Sequence, residues 1–412
     1  MEVIMLTELF PVAHRRYTAS PSAPWLSGFA EWLSTQGYSR KAMRGHVLRL
    51  RQALERTRSF SPEVQSSSKQ FSKLFAFPTR QAQYRATEHN FRRYLTACGR
   101  LSPQPEPEFG RFTSLLVAYR RYLLDVRGLA METTRHHLNT AYAFLNHAVE
   151  PASGISAISA QAVESFVIAT GQRMKRTTLQ QPVAQLRSFL RFCYNCGEVP
   201  ARLDGIDTPR VYEGELPPRA LPWKLTLAFL DTIDRTETAG CRDHLILYLM
   251  ACFGLRPSEV ASLDLKSINW ASRTLQVEQR KTRSSLVLPL PAPALELLRN
   301  YVCNVRPDSA LPSLFLRLRA PAQAMTSTSI RSIYRRRARQ SGLPLDATSS
   351  YSLRHGFAMR LLDRGVGIKA IGDLLGHRTV QSTQVYLRLQ TESLREVGLS
   401  LPCISRDRGR SA

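Results

Sequence analysis

From Trp25 onward, apolar side chains recur every three to four residues, the period of a helix with one buried face. Trp25, Phe29, Trp32 and Leu33 mark one such helix, and after Gly37 a second carries Val47, Leu48, Leu50 and Leu54. The stretch 112–147 repeats the plan. Phe112, Leu115, Leu116, Tyr119, Tyr122 and Leu123 run up to Gly128, and Leu138, Tyr142 and Leu145 follow it. In both, an arginine stands seven residues after the glycine (Arg44, Arg135) and a histidine nine after it (His46, His137). The spacing suggests a duplicated helix–turn–helix pair, although helical hairpins also share such spacings by chance.

Residues 159–171 and 177–196 supply two more helices. The second carries Leu179, Val183, Leu186, Phe189, Leu190 and Phe192 on one face, with Arg187 and Arg191 beside it, and Gly197 as a stop. Between these segments lie three breaks. Ser59–Ser72 is serine-rich and polar, and Leu101–Pro107 alternates prolines that block a helix. Leu203–Trp223 holds Pro209, Pro217, Pro218 and Pro222, reads as extended, and forms the major boundary. Beyond it helices return, with one interruption. Thr274–Glu278 and Leu286–Leu290 flank Arg280-Lys281-Thr282-Arg283, the pattern of a β-hairpin with a basic tip. The expected fold class is mainly α with a small β-sheet (α+β).

Composition narrows the partners. Lys and Arg number 57 against 32 acidic residues, a formal charge of +25, which favours a polyanion and most simply nucleic acid. Arginine far outnumbers lysine, which suits two-pronged contacts to phosphate. No apolar run is long enough to span a bilayer, and Met1–Thr18 reads as neither signal peptide nor anchor. The seven cysteines are scattered, and Cys193-Tyr194-Asn195-Cys196 lacks a second ligand pair, so no metal is expected. That usage reads as a reducing, cytoplasmic compartment.

The candidate chemistry lies near the C-terminus. Gly254-Leu255-Arg256-Pro257-Ser258-Glu259 is followed by Ser352-Leu353-Arg354-His355, then by Leu375-Gly376-His377, with Tyr386 nine residues beyond that histidine. Breaking a phosphodiester requires cations on the non-bridging oxygens, a nucleophile in line, and a proton for the leaving alkoxide. A tyrosine nucleophile implies a covalent protein–phosphate intermediate. Taken singly, each motif has an ordinary reading. Arg256 could start a helix, Arg354 could lie on a solvated face, His377 could follow a helix cap, and Tyr386 could pack in a core.

Together, in this order and spacing, the four motifs resemble the tyrosine recombinases of the phage integrase family. Leu353-Arg354-His355-Gly356-Phe357-Ala358 and Thr383-Gln384-Val385-Tyr386 carry the resemblance with the segments quoted above, and it covers about 112–390. It implies a helical SAM-like core-binding domain at about 105–200 and a catalytic domain at about 220–395. A linker at 201–223 joins them, a helical extension over 1–100 is a candidate for arm-site or extra DNA binding, and a tail covers 396–412. It implies that Arg256 and Arg354 clamp the scissile phosphate, His377 donates to it, and Lys281 protonates the leaving 5′ oxygen. Tyr386 attacks to form a 3′-phosphotyrosyl link. Glu259 and His355 support the site, and no cofactor is implied.

The resemblance also implies double-stranded recombination sites as substrate and a tetramer that exchanges strands through a Holliday junction. Partner recombinases or DNA-bending proteins are further candidate partners. The family usually has His or Lys three residues before the second arginine; here it is Tyr351. Candidate DNA contacts are Arg135, Arg187, Arg191, Arg280, Arg283, Arg331, Arg335 and Arg336, the last three in a run with Arg337 and Arg339. The expected function is site-specific recombination that integrates or transposes a mobile element, in the cytoplasm. A non-catalytic DNA-binding relative and a topoisomerase-like enzyme are the alternatives.

Overall fold

The computed structural model describes residues 2–56, 71, 74–75, 82–101, 109–150, 153–209, 219–279, 284–377, 379 and 381–386. The N-terminal part is helical: α1 (Glu2–Leu9), α2 (Arg15–Thr18), α3 (Ala23–Thr35), α4 (Arg40–Arg56) and α5 (Ala82–Ala97). Leu26, Phe29 and Leu33 on α3 are buried, as are Val47, Leu50 and Leu54 on α4 and Phe91 and Leu95 on α5. Gly37 adopts a positive φ of 76°, which lets the Tyr38 N–H bond back to the Leu33 carbonyl at 3.1 Å and ends α3. The expected break at Gly37 is therefore a left-handed helix cap. The expected linker Ser59–Ser72 lies outside the described residues except for Phe71.

A second helical group follows: α6 (Thr113–Arg121), α7 (Met131–Ala148), α8 (Ala160–Gly171) and α9 (Arg176–Asn195). Its core joins Leu116, Tyr119 and Leu123 to Leu138, Phe144 and Leu145 of α7 and Leu186, Phe189 and Leu190 of α9. Ser159 caps α8 by accepting from the Ala162 N–H at 3.2 Å. The α6 helix does not run straight into its glycine. Tyr122–Val126 forms a π turn, in which the Arg127 N–H reaches five residues back to the Tyr122 carbonyl at 3.0 Å. Gly128 and Gly197 both take positive φ, at 59° and 75°, and end their helices.

The C-terminal part holds α10 (Trp223–Asp231), α11 (Thr238–Cys252), α12 (Pro257–Ala261), α13 (Ala292–Asn300), α14 (Ser327–Gln340), α15 (Ser350–Asp363), α16 (Ile368–Leu375) and α17 (Gln381–Gln384). A small antiparallel sheet has the order β1 (Ile268–Asn269), β2 (Thr274–Gln279), β3 (Ser284–Pro289). Leu275 pairs with Leu288 and Val277 with Leu286, so the expected hairpin is in register. Its tip, with Arg280, Lys281 and Arg283, lies outside the described residues.

Helix α11 is buried nearly all round, with Leu245, Ile246, Leu247, Leu249 and Met250 all covered, so it lacks an amphipathic stripe. It carries a buried anion. Asp243 accepts from Arg242 at 2.8 Å, from Arg336 at 2.6 Å and from the Arg337 Nε at 2.9 Å. Three guanidiniums around one carboxylate satisfy a charge that would otherwise be costly to bury. The end of the expected linker is not free chain. Leu221 N–H donates to the Ser352 carbonyl at 3.3 Å, and Arg219 donates to the Ala347 carbonyl at 2.6 Å. Among the described residues no helix is long and apolar enough to cross a membrane.

Two compact units emerge from these contacts. One is formed by Met1–Ser59, Phe77–Tyr94 and Leu216–Ala412, the other by Phe60–Ala76 and Leu95–Glu215.

Candidate active site

Helix α12 starts at Arg256 because Pro257 follows it with φ fixed for a first helical position. Glu259, three residues on, reaches back to accept the Arg256 backbone N–H at 2.8 Å and the Arg256 guanidinium at 2.6 Å. The same buried carboxylate lies 3.7 Å from the Arg354 guanidinium. One buried anion therefore holds both arginines. Gly254 sets up the approach with a φ of 65°, and a Cβ there would come within 2.5 Å of the Phe357 ring.

Arg354 points inward from α15 and is only 4% exposed. It donates to the Gly254 carbonyl at 2.6 Å and to the Leu375 carbonyl at the end of α16. The carbonyl end of a helix is electronegative, which suits a cation. Arg354 thus ties the loop before α12 to the end of α16. Burial, then Arg256, lowers its pKa to about 10, which leaves it charged at neutral pH. Gly356, two residues on, lies so close to the Leu221 carbonyl that a Cβ would meet it at 2.6 Å.

Gly376 caps α16 in the left-handed conformation, and the His377 N–H bonds back to the Gly372 carbonyl at 2.9 Å. That cap aims His377 toward the arginines. Its Nδ1 lies 2.8 Å from the Thr383 hydroxyl, which in the matching tautomer donates and leaves Nε2–H as a free donor. Burial, Arg354, Arg256 and His355 hold the His377 pKa at about 4, so the ring is neutral at pH 7.

Tyr386 closes the site in a turn after α17, its N–H on the Thr383 carbonyl at 3.0 Å. Its side chain is 1% exposed, packed with Ala358, Leu362, Ile371 and Leu375. The phenol hydroxyl is 2.9 Å from His355 Nδ1, and the ring lies parallel to His377 with centroids 6.5 Å apart. Burial raises the Tyr386 pKa while Arg354 and Arg256 pull it down. Burial and then Arg354 lower that of His355. Tyr351 is 40% exposed on the first turn of α15, near enough for its charge state to act on Arg354.

The structure thus brings Arg256, Glu259, Arg354, His355, His377 and Tyr386 into one cluster. Thr383, a member of the motif that ends in Tyr386, is the partner that orients His377. The hydrogen bond between the Tyr386 hydroxyl and His355 leaves no local signal in the sequence, because the two residues lie 31 apart.

The candidate DNA-contact arginines divide. Arg331 and Arg335 are exposed on α14. Arg336 is turned to Asp243. Arg135 pairs with Glu132, Arg187 donates to the Ile206 carbonyl, and Arg191 pairs with Asp204 at 3.0 Å. A cavity of about 610 Å³ beside α14 is lined by Arg242, Arg317, Arg319, Arg336 and Arg337.

The chain is similar to known proteins in sequence and in fold. Residues 224–393 match the phage integrase family, and residues 116–197 match the N-terminal SAM-like domain of phage integrases. A putative integrase/recombinase of Sinorhizobium fredii is 31% identical over 289 residues, 69% of this chain and 70% of its own. The tyrosine recombinase XerC of Myxococcus xanthus is 28% identical over 295 residues, 69% of this chain and 95% of its own. The fold is similar to that of a lambda integrase dimer bound to a COC' core site (TM-score 0.53, 18% identity, 66% of this chain and 94% of that one). It is also similar to the Tn1549 transposon integrase in complex with transposon right end DNA (TM-score 0.54, 15% identity, 68% and 99%). A mainly helical chain that matches these family models and recombinases is a DNA strand breaking and rejoining enzyme. The chain belongs to the phage integrase family of tyrosine recombinases.

Proposed function

We propose that this enzyme is a site-specific recombinase of a mobile element that cuts and rejoins duplex DNA through a 3′-phosphotyrosyl intermediate. One observation carries the reading: the buried Tyr386 phenol feels the charges of both Arg256 and Arg354, which share the Glu259 carboxylate. Two cations against one anion leave a net positive charge beside the nucleophile, suited to a phosphodiester.

In the proposed step the Tyr386 oxygen attacks phosphorus and its proton passes to His355 Nδ1. Arg256, Arg354 and the His377 Nε2–H donate to the non-bridging oxygens. The bond to the 5′ oxygen breaks, and Lys281 supplies the proton that this oxygen takes. Rejoining runs the same transfers backward, with the bond energy held in the phosphotyrosyl link. Side chains supply every part, and no cofactor is assigned.

Residues 105–200 act as core-binding domain, 201–223 as linker and 220–395 as catalytic domain. The exposed Arg331 and Arg335 and the arginine-lined cavity beside α14 take DNA phosphates. The active assembly is a tetramer on paired sites in the cytoplasm.

The test uses duplex selected by the protein from a random oligonucleotide pool, nicked beside the cleavage point. Wild type forms a covalent adduct, and Tyr386→Phe binds equally but forms none. An undiminished adduct with Tyr386→Phe would sink the nucleophile assignment. Exchange between two labelled sites separates recombination from a topoisomerase-like relaxation.

A further inference from the structure

The two helical groups before residue 209 have the same internal construction. In the first, Phe29 and Trp32 of α3 meet Phe91 and Tyr94 of α5: ring centroids are 5.3 Å apart for Phe29–Phe91, 5.7 Å for Phe29–Tyr94 and 6.1 Å for Trp32–Tyr94. In the second, Tyr119 and Tyr122 meet Phe189 and Phe192 of α9: 5.1 Å for Tyr119–Phe189, 5.1 Å for Tyr119–Phe192 and 5.2 Å for Tyr122–Phe192. The four rings correspond one to one. Buried Leu26 and Leu33 flank the first pair as buried Leu116 and Leu123 flank the second.

The helix ends correspond as well. Gln36 N–H bonds the Trp32 carbonyl and Tyr38 N–H the Leu33 carbonyl; Arg127 N–H bonds the Tyr122 carbonyl and Leu129 N–H the Leu123 carbonyl. Each bond in the second group spans one residue more, which is the π turn Tyr122–Val126. A single inserted residue therefore hides the match from a fixed-offset comparison. Past the glycines, His46 bonds directly to α5, and His137 reaches α9 through the hydroxyl of Tyr119 on α6. His46 Nδ1 lies 2.9 Å from Thr87, while His137 Nδ1 lies 3.0 Å from the Tyr119 hydroxyl, which donates to Ser188 at 3.2 Å. Finally α5 ends at Gly99 and α9 at Gly197, each left-handed, with Arg100 N–H on the Leu95 carbonyl at 2.8 Å and Glu198 N–H on the Cys193 carbonyl at 2.9 Å.

We infer that the N-terminal hundred residues are a second core-binding module, and that it clamps duplex DNA beside the segment held by the first. This rests on the recombinase reading for the rest of the chain. The charge agrees: residues 1–100 carry 16 Lys and Arg against 6 Asp and Glu. Lys41, Arg44 and Leu48 fall at helical spacing on an exposed face of α4, and Arg85 is exposed on α5. A helical module with that surplus binds the phosphate backbone without need of base contacts.

The test uses the full chain and the selected duplex extended by random sequence on both sides. Wild type protects a tract longer, by about one helical turn (~10 base pairs), than Lys41→Glu/Arg44→Glu/Arg85→Glu. The triple variant also lowers the slope of log affinity against log salt by about two to three, one unit per lost phosphate contact. Its thermal midpoint and its covalent adduct on a short core duplex stay as in wild type. Equal footprints and equal salt slopes for the two proteins overturn the second module as a DNA clamp. Failure of wild type to form any adduct strikes the recombinase reading instead, since the footprint comparison does not depend on cleavage.

Discussion

His355 Nδ1 and the Tyr386 hydroxyl lie 2.9 Å apart. Burial drives the two groups in ways that keep the proton where it is. The phenol is raised above its ordinary 10, and the imidazole is lowered below its ordinary 6.5. The nucleophile therefore waits in its protonated form with its acceptor already aligned. A phosphodiester arriving at the arginines adds negative charge, which favours the imidazolium form of His355, and the phenol gives up its proton to that ring as its oxygen bonds to phosphorus.

Replacing His355 separates the two parts of that role. His355→Phe removes both the hydrogen bond and the acceptor, and single-turnover cleavage falls by about 10²–10³-fold, as general-base losses do. His355→Asn keeps a hydrogen-bonding partner but takes up no proton, so it falls nearly as far, with DNA binding unchanged. A rate for His355→Asn equal to wild type would reduce His355 to a brace.

Tyr351 stands where a base or cation is usual. Its phenol is exposed and offers a hydroxyl donor in place of a base. Tyr351→His restores a chargeable donor and speeds adduct formation about tenfold, and Tyr351→Phe slows it by about the same factor. Equal rates for Tyr351→Phe and wild type would show that the hydroxyl does not touch the phosphate.

Glu259 holds two arginines, and its removal leaves them facing each other in a buried site. Glu259→Gln keeps the shape but not the charge. It destabilises the protein by about 3–5 kcal/mol, the range for stranding one side of a buried ion pair. Asp243→Asn has a comparable cost, since Arg242, Arg336 and Arg337 all converge there. Urea denaturation measures both, and a loss under ~1 kcal/mol in either variant would contradict the arrangement.

His46, His244 and His377 each have a folded pKa of about 4, against 6.5 when unfolded. Between those values the unfolded chain takes up protons that the folded one refuses. Stability is therefore full above pH 6.5 and declines as pH falls toward 4, on the order of 1 kcal/mol per unit for each buried ring. Urea midpoints at pH 7 and pH 5 show the decline, and His244→Phe flattens it. A flat profile in wild type would refute the neutral buried state of these rings.

Much of the site is legible in the sequence because its parts stand on rigid local motifs. Pro257 after Arg256 starts a helix, and Gly376 before His377 ends one, so each side chain's direction follows from the backbone rule beside it. Asp243 is not legible, because its partners Arg336 and Arg337 lie more than ninety residues on and look like any basic helix face. Arg191 and Arg336 likewise read as free cations, while Asp204, thirteen residues beyond the first, and the distant Asp243 claim them. The N-terminal repeat is half-legible. The glycine-to-histidine spacing shows in the sequence, but the ring pairs need a further helix and a register shifted by one.

That shift lies in the π turn Tyr122–Val126, and it bears on how such modules change over time. A residue added inside a regular helix rotates everything after it by about 100°, which would bring the wrong face inward. Here one wide turn absorbs the extra residue before Gly128, so Tyr119 and Tyr122 ahead of it and Leu138 behind it keep their neighbours. Two sister modules can then drift apart in length without either losing its core, and kinship between them is better traced by which residues touch than by aligned letters.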